Sequence, residues 1–165
     1  MVHLIIALMS GAGSFFVISN ETGCCPLCGG ALFERGRRAR VMFDGGGDRR
    51  VLSIRQLMCD RCKHIHSELP DCVVPYKRHC AETIEAVITG HSDDAPCDKK
   101  TAQRIAAWWS VMLPYFLNIL NSLAEKFKII FHDPPAFREI VRAAVGAHSW
   151  TFVNSICNRS AVMSG

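Results

Sequence analysis

Four cysteines in this chain carry the spacing of a metal site. They lie in two knuckles, Cys25-Pro-Leu-Cys28-Gly-Gly and Cys59-Asp-Arg-Cys62, with 30 residues between Cys28 and Cys59. A Cys-x-x-Cys turn aims two sulfurs at one point, and two such turns complete the four-ligand tetrahedron that zinc prefers, with Zn–S near about 2.3 Å. Gly29 lets the backbone fold tightly beneath the metal. The cation's charge would hold the thiols deprotonated, so no external base is needed. Four thiolates leave no open position for water, which makes the expected zinc structural rather than catalytic. A dithiol redox pair, an iron site and unrelated free cysteines are the competing readings. Cys24 adjoins Cys25, but its partner at knuckle spacing would be Leu27, which cannot ligate.

The elements that would position these ligands read as a ribbon. Arg35, Arg37, Arg38 and Arg40 follow the first knuckle, and Val41-Met-Phe43 is a short apolar run. Asp44-Gly-Gly-Gly-Asp48 is a turn signal, and Val51 to Met58 is a strand leading into the second knuckle. Such a ribbon has little hydrophobic core of its own, so the metal would supply much of its folding free energy. Between Glu34 and Lys63 there are nine basic and four acidic residues, a local charge of +5 in a chain of net +4. Charge gathered on one hairpin suits contact with phosphates; the plainer reading is a solvated face guarding a sheet edge. His64 and His66 would be structural or solvent-exposed, since four cysteines already fill the shell.

Composition bounds the rest. Nine cysteines, an odd number, favour a reducing compartment over a disulfide framework, and so the cytoplasm. Cys24, Cys72, Cys80, Cys97 and Cys157 are expected as small buried hydrophobes. The apolar start, Met1 to Met9, has no preceding Lys or Arg and no plausible cleavage site, which argues against an export signal. Ser14 to Ser19 reads as a strand after a turn at Gly11 and Gly13. Leu69 to Pro75 reads as an extended linker between two prolines.

From Lys77 the period becomes helical, ending at Gly90. A second helix is expected from Asp98 to about Met112, with Thr101, Ile105, Trp108 and Met112 facing inward and Lys100, Gln103, Arg104 and Ala107 outward. Two helices with a small basic outer face suggest a helix-turn-helix, which would place Lys100, Gln103 and Arg104 against base edges. Pro114 would break that helix, and Tyr115 to Phe127 would form the next. The 20 residues between Arg104 and Glu125 carry no charge. Polar residues and Pro114 interrupt them, so two packed core helices are expected rather than a membrane span. After a turn at His132 to Pro135, Phe137, Ile140, Val141, Ala144 and Val145 mark an amphipathic helix. A short helix from Ser149, with Trp150, Phe152, Val153 and Ile156, would close the chain.

The expected class is α+β: a small β zinc ribbon followed by an all-α helix-turn-helix bundle. Its divisions would be an N-terminal strand region (1–23), the ribbon (24–75), the bundle (76–132) and a C-terminal helical tail (133–165).

Several short strings occur together: Cys25-Pro-x-Cys28-Gly-Gly, Cys59-x-x-Cys62, His66-x-x-Leu69-Pro-Asp71, Val74-Pro-Tyr-Lys-Arg78, Ala95-Pro-Cys97 and Thr101-x-x-Arg104-x-x-x-Trp108. The set, over about residues 14 to 128, resembles a bacterial domain-of-unknown-function family that joins a zinc ribbon to a helix-turn-helix. The ribbon also resembles the N-terminal zinc finger of insertion-sequence transposases. The resemblance implies a DNA-binding regulator or accessory factor of a mobile element, with duplex DNA and a transposase or recombinase as partners. A protein–protein adaptor and a rubredoxin-like iron electron carrier are the alternatives. No carboxylate triad, phosphate loop or Ser/His/Asp order is present, so neither an enzyme nor a small-molecule substrate is expected.

Overall fold

The computed structural model describes residues 5–10, 14–19, 24–70, 72–128, 130–132 and 134–146. Among them five strands precede three helices, a mixed α+β arrangement. The chain divides into two compact units between Thr83 and Ile84.

The first unit is built on one strand, β4. β1 (Ile5–Ser10) and β2 (Ser14–Ser19) form an antiparallel pair, and β2 then runs parallel to β4 (Arg49–Cys59). β3 (Leu32–Phe43) pairs antiparallel with β4 from Phe43↔Arg49 to Leu32↔Cys59, around the Asp44–Asp48 turn. β5 (Ile65–Ser67) pairs with β4 through Gln56 to Met58, whereas β2 takes Val51 to Ser53. Thus β2 and β5 share one edge of β4 and β3 holds the other.

The expectation of a nearly coreless ribbon is corrected by this sheet. Alternation along β4 turns Leu52 and Ile54 to one face, where they are buried with Met42, Val73 and Cys80, and Phe15 and Leu69 pack against them. The segment expected to be a linker supplies part of this cover. Pro70, Val73, Val74 and Pro75 are buried, Val73 bridges Cys80, and the Cys80 N–H donates to the Phe43 carbonyl at 2.9 Å. Apolar burial holds the segment in place, so its prolines mark turns rather than freedom.

These backbone bonds also delay the helix expected from Lys77. α1 spans Ala81–Ile88. It closes at Gly90, whose φ of +88° lets His91 N–H donate to Ala86 O at 2.8 Å and Gly90 N–H to Val87 O at 3.3 Å.

α2 runs unbroken from Lys99 to Phe127, with Pro114 inside it, so the expected break and pair of helices are corrected. The Asp98 carboxylate caps its start, accepting from the Thr101 N–H at 2.9 Å and the Thr101 hydroxyl at 2.6 Å. Ile105, Met112, Phe116 and Leu120 form one buried stripe across the proline. Keeping that stripe continuous outweighs the missing N–H, while the proline itself lies on the exposed side. α3 (Phe137–Gly146) buries Phe137, Ile140, Val141 and Ala144 on one face, as its spacing suggests. It packs on α2, with the Trp109 and Phe137 rings edge to face at 5.3 Å. The short helix expected from Ser149, and the turn at Gly11 and Gly13, lie outside the described residues. No helix among the described residues is long and apolar enough to cross a membrane.

Because an interior proline costs a helix up to about 3 kcal/mol relative to alanine, Pro114→Ala should stabilise the α2 unit by about 1–3 kcal/mol. Thermal denaturation followed by circular dichroism would register this as a higher midpoint with helicity fully retained.

Candidate metal centre

The hairpin register assembles the site. Leu32 pairs with Cys59, so the strand leaving the first knuckle lies beside the strand entering the second. Asp60 N–H donates to Ala31 O at 3.0 Å and holds the two turns together.

The knuckles repeat one backbone form. Cys25 N–H donates to Gly30 O at 2.8 Å, and Cys59 N–H donates to His64 O at 3.0 Å. The residue after each second cysteine is left-handed: Gly29 at φ +71° and Lys63 at φ +59°. Glycine takes that conformation freely, whereas lysine bears a steric cost. Gly30 answers a different need. A Cβ there would stand 2.6 Å from Asp60 Oδ1 and 2.8 Å from Cys59 Sγ, so any side chain would force the knuckles apart.

The four sulfurs of Cys25, Cys28, Cys59 and Cys62 lie within 4.8 Å of one another. Cys25–Cys62 is 3.6 Å and Cys28–Cys59 is 3.4 Å, against about 3.8 Å for the edge of a tetrahedron with 2.3 Å metal–sulfur bonds. The donor set and its spacing fit a metal ion held by four thiolates. Cys25 and Cys59 are buried, and Cys28 and Cys62 are half-buried.

The surroundings supply donors to the sulfurs. Arg61 N–H donates to Cys59 Sγ at 3.4 Å, and His66 Nε2 lies 3.4 Å from Cys25 Sγ. Sequence alone suggests a structural or exposed His66. Its place on β5, opposite Leu57, brings its ring to the cluster, which agrees with the structural alternative and not with exposure. The available signal is its position four residues past Cys62, which only the strand pairing makes interpretable.

Without a cation the thiols crowd one another. The His64 N–H favours the Cys62 thiolate, but desolvation and the sulfurs of Cys59, Cys25 and Cys28 push that thiol up, to about 12. A metal reverses this balance by replacing protons with a stronger positive charge.

The arginines divide into two groups. Arg35, Arg37 and Arg38 are exposed on β3. Arg40 is turned to structural use: its Nη2 donates to the Val74 carbonyl at 2.9 Å and the Lys77 carbonyl at 3.0 Å. Burial, then the neighbouring Arg38, lowers its pKa. Arg37 also meets Glu34 at 3.2 Å and lies over the Phe16 ring. Lys100, Gln103 and Arg104 are exposed near the start of α2, in the second unit. Among the other cysteines only Cys80 meets the expectation of full burial; Cys24 and Cys72 are exposed, Cys97 is half-buried, and Cys157 lies outside the described residues.

Cys59→Ser should abolish stoichiometric metal binding and loosen the knuckle end, while Cys24→Ser should leave metal content unchanged. Elemental analysis of each purified variant checks both. Each ligating thiol must also shed its proton. With the Cys62 thiol raised to about 12, that thiol holds its proton at neutral pH when no metal is bound. Metal uptake at pH 7 should therefore release protons, and affinity should fall as pH is lowered. Calorimetric titration in buffers of different ionisation enthalpy measures the number released.

Residues 25–105 match the family described as a domain of unknown function, DUF6431. The match starts on the first ligand and takes in both knuckles, α1 and the first turns of α2. No curated protein and no solved structure matches the chain. The chain is thus similar, across its cysteine cluster, to an uncharacterised domain family, and that family's description assigns no activity.

Proposed function

We propose that this is a DNA-binding protein whose ribbon is held by structural zinc, acting as a cytoplasmic regulator or accessory factor of a mobile element. The observation that carries the reading is the open basic strand beside the metal centre. Arg35 and Arg38 are exposed on β3 and form no ion pair among the described residues. Guanidinium groups held on a rigid strand suit backbone phosphates, which position a protein on DNA without reading sequence. Zinc fits four thiolates in a closed tetrahedral set and requires no redox role of the site. The helix-turn-helix that the resemblance implies would read the bases, through Lys100, Gln103 and Arg104 on α2. Gln and Arg are side chains able to make paired contacts with adenine and guanine. The carboxylates of Asp93, Asp94 and Asp98 stand just ahead of that face in the chain, which leaves phosphate binding to β3. The mobile-element role, with a transposase or recombinase as partner, rests on the sequence resemblance. The protein acts in this reading by binding rather than by catalysis.

Binding to random duplex DNA should weaken steeply with salt and disappear when a chelator strips the metal. Arg35→Ala with Arg38→Ala should weaken all duplexes alike, and reduce the slope of log K against log salt by about 0.9 for each phosphate no longer neutralised. Fluorescence anisotropy across a salt series tests this; salt-independent binding, or full binding by the double variant, would remove the arginines from the interface.

A further inference from the structure

Phe33, Met58 and Ile65 form a row across three strands at the knuckle end of the sheet. Phe33 pairs with Met58 on one side, and Ile65 pairs with it on the other. Directly paired residues turn their side chains to the same face. Phe33 is 58 % exposed and Ile65 44 %, and the row lies on the face opposite His66 and the sulfur it approaches. It is thus an aromatic and aliphatic surface that the metal centre does not use.

The charges beside this row indicate what would cover it. The row is the uncovered knuckle end of the face whose other end buries Leu52 and Ile54. Arg38, exposed on the edge strand, pairs with Ile54, four residues before Met58 on β4, and so lies on that face about 14 Å away along the strand. Between them Gly36 pairs with Gln56, and a Cβ at Gly36 would meet nothing within 4 Å. Arg35 is the extra residue of the bulge between Glu34 and Gly36. Outside the covered core, the knuckle end of this face therefore presents an open ring and a notch free of side chains on β3, with the exposed Arg38 beside it and the exposed Arg35 at the bulge. Duplex DNA offers phosphates to such a surface but keeps the faces of its bases stacked inside. An unpaired strand offers both a phosphate chain and bare base faces.

We propose that this face binds single-stranded nucleic acid, with an unpaired base stacked on Phe33 and the adjoining phosphates on Arg35 and Arg38. The inference rests on the nucleic-acid reading above and narrows it for the ribbon. Stacking contributes through the flat ring, so Trp can replace Phe at this position and Ala cannot. Gly36 must stay small to keep the notch open, although the fold itself leaves room for a side chain there.

The test uses the full-length metal-loaded chain with two fluorescent probes, a 12-nucleotide oligo-dT and a hairpin duplex of similar charge. Phe33→Ala should weaken oligo-dT binding about tenfold or more, in line with the removal of one base stack, and leave the duplex unchanged. Phe33→Trp should retain binding. Gly36→Val should weaken the single strand while metal content and melting midpoint hold, which separates an obstructed face from a failed fold. Equal binding of both probes by wild type and Phe33→Ala, with the salt slope intact, would overturn this inference and leave the DNA-binding reading standing. Absence of salt-dependent binding to either probe would overturn both and favour a protein occupant for the apolar row.

Discussion

Repulsion among sulfurs is the constraint on which the ribbon depends. Four cysteines brought within 4.8 Å of one another cannot all ionise without a cation at their centre. A divalent ion bound by four thiolates would leave two negative charges, and the groups around the site are placed where they would temper them. Arg61 N–H points at Cys59, the His64 N–H acts on Cys62, and His66 approaches Cys25. The repeated knuckle form places these N–H groups, which is why Lys63 accepts a left-handed conformation better suited to glycine. A metal held there would make its binding and the folding of the ribbon one equilibrium at this end of the sheet.

The opposite end follows other rules. Leu52 and Ile54 are covered by strands and turns from before and after the ribbon, so that end has an apolar core that needs no ion. The twelve-residue β3 and eleven-residue β4 connect the two regimes. Their register is held at one end by the knuckles and at the other by the Asp44–Asp48 turn. Asp44 Oδ1 accepts from the N–H groups of Gly46 and Asp48 there, while Arg50 Nε donates to its Oδ2 at 2.6 Å.

What was legible in the sequence was local. The knuckles, the glycine turn, the helix start near Asp98, the Gly90 stop and the face of α3 each depend on residues a few positions apart. What escaped depended on distant pairing or on competition between forces. Nothing in Ser14 to Ser19 announces a parallel partner more than thirty residues away, and nothing in Leu69 to Pro75 distinguishes a linker from a cover. At Pro114 the local rule was sound, but a buried stripe running through it was stronger. His66 could be placed only once β5 was known to pair with β4.

The same distinction applies to charge. Counting residues gives the segment from Glu34 to Lys63 a net +5, but the fold uses much of it internally. Arg55 is held by Glu68, whose side chain is 8 % exposed and which accepts at 2.7 and 3.0 Å; such a carboxylate needs a cation nearby. Asp44 and Asp48 engage Arg50, and Glu34 stands near both Arg37 and Arg55. Arg40 is bound to two carbonyls. These pairs shape the sheet and turn, and their fields largely cancel at a distance. Arg35 and Arg38 are different because they form no ion pair among the described residues and stand exposed on the strand that forms the sheet's edge. An exposed edge is also where a sheet is vulnerable to pairing with another chain, and charge there opposes it. Guarding the edge and binding phosphate are compatible roles for the same two guanidinium groups. An edge guard gains nothing from an exposed Phe33, whereas the nucleic-acid surface proposed above would use it.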